Sequence, residues 1–178
     1  EIVAKAIEIA SPLLEQRTHT LNVQVHRKEL TVKGDSTRLS QVISNLLTNA
    51  AKYTAPGGHI TIRTEKDGAE AVVRIRDTGM GIAPEVLPRV FDLFVQERQA
   101  IDRSQGGLGL GLTIVRNLVE RHGGKVSAHS EGPGKGSEFV VRLPLSSARV
   151  ESARARPDGA RASQGRRILL ADDNVDFV

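Results

Sequence analysis

The chain has 178 residues, of which 39% are hydrophobic and 26% charged, with a formal net charge of +4; these are ordinary values for a folded domain and exclude wholesale disorder. The absence of cysteine excludes a disulfide framework, a thiolate metal site and a cysteine nucleophile, and with no Trp, one Tyr and four Phe the core must be built from Val, Ile, Leu and Ala. No apolar run approaches the roughly 18–20 residues of a membrane span, no secretory signal is present, and basic residues are spread without interleaved aromatics, so a cytoplasmic setting without nucleic-acid contact is expected, with no membrane contact by this stretch itself and membrane anchorage of its parent left open.

Apolar positions Ile2, Val3, Ala6, Ile7, Ala10, Leu13 and Leu14 predict a one-faced helix over residues 2–15, bent near Pro12. Leu21, Val23 and Val25 alternate as a strand, and residues 30–32 form a short second one. Asp35 is placed to cap a helix over residues 37–53, which Pro56-Gly57-Gly58 ends. Residues 59–65 alternate with Ile60 and Ile62 on one face, and Asp67-Gly68 turns the chain into a strand over residues 71–77.

In that strand Val73, Ile75 and Asp77 share one face, and Arg74 and Arg76 the other, because side chains alternate with period two. Asp77 therefore points toward the core, where a carboxylate must accept hydrogen bonds. Gly79 and Gly81 follow it, and glycines let a backbone pass close to a flat ligand. The pattern suits an acceptor for the exocyclic amine of a purine.

A polar connection spans residues 96–107, long enough to be a functional lid, with Arg98 and Arg103 as phosphate contacts or as solvated cations. The glycine-dense run Gly106-Gly107-Leu108-Gly109-Leu110-Gly111-Leu112 enters a helix over residues 111–122 that Gly123 stops. Backbone amides there, with the positive helix end, can cradle phosphate. The run is neither a Walker A loop nor a dinucleotide fingerprint. Strands over residues 125–130 and 138–143 close the domain. The sum is an α+β two-layer sandwich with a mixed, mostly antiparallel sheet and helices on one face.

Four blocks now stand in order: Asn45 to Tyr53, Asp77 to Ile82, Phe91-Asp92-Leu93-Phe94, and Gly106 to Leu112. They closely resemble the N, G1, F and G2 boxes of the sensor histidine kinase catalytic domain, within the ATPase superfamily that includes gyrase, the Hsp90 chaperones and MutL proteins. The resemblance covers residues 1–145 and implies a Bergerat-type ATP-binding fold, with ATP and Mg²⁺ as cofactors. It implies that Asn49 coordinates Mg²⁺, Asn45 lies near metal and phosphates, Lys52 contacts phosphate and Tyr53 borders the nucleotide. Asp77, Gly79, Gly81 and Ile82 would hold adenine, with Ser137 near it. Arg103, Gly107, Leu108, Gly109, Leu110, Gly111 and Leu112 would form the lid, with Phe91 and Phe94 packing its base. Ser137 has a simple strand-start reading as a competitor.

The helix spacing agrees with part of this, since Asn45, Asn49 and Lys52 lie four and three residues apart on one face. An amide oxygen is a hard ligand suited to Mg²⁺, and an ammonium suits phosphate oxygens. Gyrase-like and chaperone-like members resemble each other in placing Glu four residues before the metal-binding Asn. Asn45 occupies that place here, and an amide is no general base at neutral pH. The implied chemistry is phosphoryl transfer to a histidine. His19, His26, His59, His122 and His129 all lack the acidic neighbour of the family's acceptor, so none is expected to be phosphorylated.

Residues 146–165 are rich in Ser, Ala, Arg, Gly and Pro and read as a flexible linker. Residues 166–178 begin a buried strand ending in Asp172-Asp173, similar to the start of a response-regulator receiver, whose paired carboxylates help hold Mg²⁺. The expectation is a hybrid kinase's ATP-binding domain, a linker and a truncated receiver start. Its partners would be the dimerisation helices that carry the acceptor histidine and a receiver in cis or a response regulator. The rival readings are a gyrase- or chaperone-type ATP hydrolase and a non-catalytic nucleotide-binding module.

Overall fold

A computed structural model of the chain describes residues 1–25, 30–92 and 110–146. The elements in chain order are α1 (Ile2–Gln16), β1 (Thr20–Val25), α2 (Ser36–Tyr53), β2 (His59–Asp67), β3 (Glu70–Asp77), a single 3₁₀ turn (Leu87–Arg89), α3 (Gly111–Arg121), β4 (Lys125–His129) and β5 (Ser137–Pro144). The chain divides into two units, residues 1–147 and 148–178, and the second lies outside the described residues.

The five strands form one sheet in the order β1-β2-β3-β5-β4. β1 pairs parallel to β2, and the remaining pairs are antiparallel. The parallel pair needs a crossover, and α2 supplies it on the covered face. The fold is therefore the α+β sandwich expected. One detail differs. Residues 30–32 contribute only an isolated bridge, Val32 to Leu145, rather than a strand.

α2 is the central helix, and its start is set locally. The Asp35 carboxylate accepts the backbone N–H groups of Thr37 (2.8 Å) and Arg38 (3.1 Å), which are donors the helix itself leaves orphaned. Those bonds, led by Arg38, hold the Asp35 carboxyl below its ordinary range. Leu39, Val42, Leu46, Leu47 and Ala51 of α2 are buried against Ala6, Ala10 and Leu14 of α1, Val115 and Val119 of α3, and the inner sheet face. That face presents Ile60 and Ile62 of β2, Ile75 of β3, and Phe139, Val141 and Leu143 of β5. Pro12 sits inside α1 without ending it.

The outer face is polar but not unpacked. Arg74 lies between Glu65 (2.8 Å) and Glu138 (3.2 Å), and Arg142 between Asp67 (2.8 Å) and Glu70 (3.0 Å). Beside them Val72 and Val140 are buried on that same face, paired in register with Arg142 and Arg74. The Arg74 bond holds the Glu65 carboxyl below its usual value. Ion pairs this open to solvent contribute little to stability.

Candidate functional site at the end of the sheet

The last residue of β3 anchors the candidate site. Asp77 pairs across the sheet with Ile60 on one side and Ser137 on the other, and is 4% exposed. Its Oδ1 accepts the N–H of Gly79 (2.8 Å) and of Ser137 (3.3 Å), and its Oδ2 accepts the Ser137 hydroxyl (2.5 Å). Three donors satisfy the charge that burial would otherwise penalise. The acid is thereby fixed in position as an acceptor.

Around it runs a narrow cavity of about 80 Å³, lined by Asn49, Ala50, Tyr53, Asp77, Met80, Gly81, Ile82, Val86, Val90, Leu112, Ser137 and Phe139. Its walls are apolar apart from Asn49, Asp77, Ser137 and the half-exposed Tyr53. Whole-ligand pockets usually measure about 300–1,000 Å³, so this slot has room for only part of a ligand of that size. A larger cleft of about 730 Å³ lies toward the opposite end of α2 and β3, walled by Ile2, Val3, Leu39, Val72 and Val141 among others. Among the described residues it holds no cluster of three or more His, Cys, Asp or Glu, so size alone is a poor guide here.

Of the residues the sequence singled out, Asn49, Tyr53, Asp77, Gly81, Ile82, Leu112 and Ser137 meet at the slot. Asn45 is half-buried and Lys52 exposed on the same helix, and neither lines it. Gly79 borders Asp77 through its N–H, and Met80 N–H bonds to the Tyr53 carbonyl (3.0 Å), which ties the end of α2 to the β3 loop. Leu110 and Gly111 begin α3, whose N-cap has no side-chain bond. A Cβ on Gly111 would stand 4.0 Å from Asn49 Nδ2, so the start of α3 faces the α2 amide. Phe91 packs edge-on against Phe139, ring centroids 6.1 Å apart. Thr113 Oγ1 donates to the Phe91 carbonyl (3.0 Å), joining that turn to α3.

Phe94, Arg98, Arg103, Gly106, Gly107, Leu108, Gly109, Asp172 and Asp173 lie outside the described residues, as does His26. His19 bonds to the Ala51 carbonyl (2.9 Å), and His122 Nε2 accepts the Asp35 N–H (3.1 Å), so both rings serve packing of α2.

One group escaped sequence reasoning. The turn after β4 carries Gly132, Gly134 and Gly136, all at positive φ, and lies backbone-on-backbone against the Gly79–Gly81 loop. Gly134 N–H donates to the Met80 carbonyl (2.6 Å) and Gly136 N–H to that of Gly79 (3.1 Å). The sequence signal was the glycine density of Gly132-Pro133-Gly134-Lys135-Gly136, which is as marked as in the run before α3.

Among the described residues no cluster of three or more His, Cys, Asp or Glu could hold a metal ion. A cation at this site would therefore rest on an amide oxygen such as that of Asn49 and on oxygens brought by a ligand. That donor set fits Mg²⁺, which commonly bridges substrate phosphates and keeps several waters.

The profile of the histidine kinase-, DNA gyrase B-, and HSP90-like ATPases matches residues 34–147. The chain belongs to this ATPase family. Within it the chain is of the histidine kinase type. It is 44% identical over 110 residues to the sensor protein SrrB of Staphylococcus aureus, a match covering 62% of this chain and 19% of that protein. The chain thus spans about a fifth of the curated relatives it matches. Its fold is similar to that of the mycobacterial sensor histidine kinase MprB (TM-score 0.68, 32% identity, 81% of this chain and 93% of that one). It also resembles full-length ShkA in complex with AMPPNP (TM-score 0.70, 31% identity, 83% of this chain and 30% of that one). No helix among the described residues is long and apolar enough to cross a membrane.

Proposed function

We propose that this domain binds Mg²⁺-ATP at the Asp77 slot and presents the γ-phosphoryl to a histidine on dimerisation helices outside this sequence, for relay to a receiver aspartate. The observation that carries the reading is the buried, triply hydrogen-bonded Asp77 at one end of a slot that Asn49 also lines. A fixed carboxylate acceptor pairs with the exocyclic amine of adenine and repels the keto group of guanine. The ring would lie between Ile82, Val86 and Leu112, leaving ribose and phosphates toward Asn49 and the start of α3. There the uncapped helix amides, the Gly107–Gly109 backbone and Arg103 would meet the phosphates, and Lys52 would reach them from α2. Mg²⁺ held between Asn49 and the triphosphate would supply charge neutralisation.

Asn45 in place of a carboxylate supports transfer over hydrolysis, because no base stands ready to activate water. Catalysis would then rest on positioning and electrostatics, as in other phosphoryl transfers. We further propose that residues 146–165 link the domain to a receiver whose first strand begins at residue 166, with Asp172 and Asp173 as Mg²⁺ ligands there. This domain would work in the cytoplasm, whether or not its parent protein is anchored in a membrane.

The test is calorimetry of Mg²⁺-ATP with the wild type and Asp77→Asn, followed by mixing with an acceptor helix pair and labelled ATP. Acid-labile phosphate on the helices is the expected product. Sustained phosphate release without helix labelling would identify a hydrolase instead, and unchanged ATP affinity in Asp77→Asn would refute the site.

A further inference from the structure

The two glycine-rich loops beside Asp77 share one side chain. Ser130 is the first residue after β4 and is half-buried. Its Oγ accepts the N–H of Ile82 (2.9 Å) and lies 2.7 Å from the carbonyl oxygen of Gly136. The Gly132 N–H also points at it (3.3 Å), while the Gly132 carbonyl is more distant at 3.4 Å. A hydroxyl has one proton, and the shorter contact takes it, so Ser130 donates to Gly136 and accepts from Ile82. Ile82 is one wall of the slot. Gly136 immediately precedes Ser137, whose N–H and hydroxyl both hold Asp77.

We propose that Ser130 is a positioning residue for the purine: its hydroxyl sets the spacing between the Ile82 wall and the Ser137–Asp77 acceptor. The other bonds between the loops, from Gly134 and Gly136, run backbone to backbone and act on Met80 and Gly79, not on Ile82. Without the hydroxyl, the Ile82 N–H and Gly136 carbonyl lose their shared partner, and the two walls can part. A looser slot binds adenine more weakly and also discriminates less, because the keto edge of guanine can be tilted away from Asp77. A merely structural serine would change stability without changing the ratio of adenine to guanine affinities.

The inference rests on reading the slot as the purine site, so the experiment carries its own control. ADP and GDP affinities are measured by calorimetry, with Mg²⁺, for the whole chain as wild type, Ser130→Ala, Ser130→Thr and Asp77→Asn. The expected result is a loss of roughly tenfold in ADP affinity for Ser130→Ala, the order that one hydrogen bond at a fixed acceptor represents. Its preference for ADP over GDP should narrow, while Ser130→Thr stays near wild type. Loss in Asp77→Asn with no change in Ser130→Ala would overturn the role of Ser130 and leave the site standing. No loss in Asp77→Asn would remove the purine reading and this proposal together. Should Ser130→Ala fail to fold, amide hydrogen exchange of the wild type decides: Ile82 N–H is expected to be protected and further slowed by ADP. Free exchange at Ile82 would overturn the proposal.

Discussion

Replacing Gly81 by alanine tests whether the loop after Asp77 is held by close backbone contact. Gly81 has φ +75°, and a Cβ there would meet the Gly132 carbonyl oxygen at 2.1 Å, against an ordinary contact of 3.4 Å or more. Neither partner is a side-chain tip that can swing aside. Separating them by about 1 Å strains the Gly134–Met80 and Ser130–Ile82 bonds together. The left-handed backbone costs a residue with a Cβ about 1–2 kcal/mol. Two weakened hydrogen bonds add about 1 kcal/mol each, for a total near 3–4 kcal/mol.

Gly68 is the matched control, because it also has positive φ (+57°) but a Cβ there would have nothing within 4 Å. Gly68→Ala should lose only the backbone part, about 1–2 kcal/mol. Urea unfolding of the two variants should therefore show midpoints roughly 1 M apart, taking about 2 kcal/mol per molar as the slope. ADP affinity should fall in Gly81→Ala alone. Equal midpoints and equal affinities in the two variants would refute the claim that the Gly132 turn braces this loop.

Three further outcomes follow from the same geometry. Phe139, 5% exposed and edge-on to Phe91, should cost about 3–5 kcal/mol on truncation to alanine, read from chemical denaturation; a loss under about 1 kcal/mol would mean the slot's inner wall is not part of the core. In Asn49→Ala, nucleotide affinity with Mg²⁺ should fall to that with EDTA, where the wild type gains about tenfold or more from the metal; an unchanged gain would remove Asn49 as its ligand. Asp35 and Glu65 both have depressed carboxyl values, so the unfolded chain binds more protons and their stabilisation is complete above about pH 5. It is lost as pH falls below the ordinary carboxylate range, and thermal melts of an Asp35→Asn, Glu65→Gln double variant should show a flatter acid limb. An acid limb as steep as wild type would contradict this.

Much of the fold was legible because local patterns and global packing agree. The helix expected over residues 37–53 is Ser36–Tyr53, capped by Asp35, and period-two alternation alone turned Asp77 inward. Alternation failed for Val72 and Val140, which are buried on the polar face. Each stands opposite an arginine of the neighbouring strand, Val72 by Arg142 and Val140 by Arg74, and a single strand's pattern carries no information about its neighbours. The expected strand at residues 30–32 shrank to one bridge, since pairing depends on a partner near Leu145 more than 110 positions away.

By itself the sequence determined the chemical types and their local placement: an inward acid, amides at helical spacing, glycines where the chain must bend or approach closely. These depend on neighbours within one or two turns, which the order of residues encodes directly. Only the tertiary structure decided which of them share a space. It brought Ser137 onto Asp77 across 60 residues, turned Asn49 toward the start of α3, and set the Gly132 turn against the Gly81 loop. The reason is that strand order and register are fixed by long-range burial and hydrogen bonding, whose partners a linear pattern does not name.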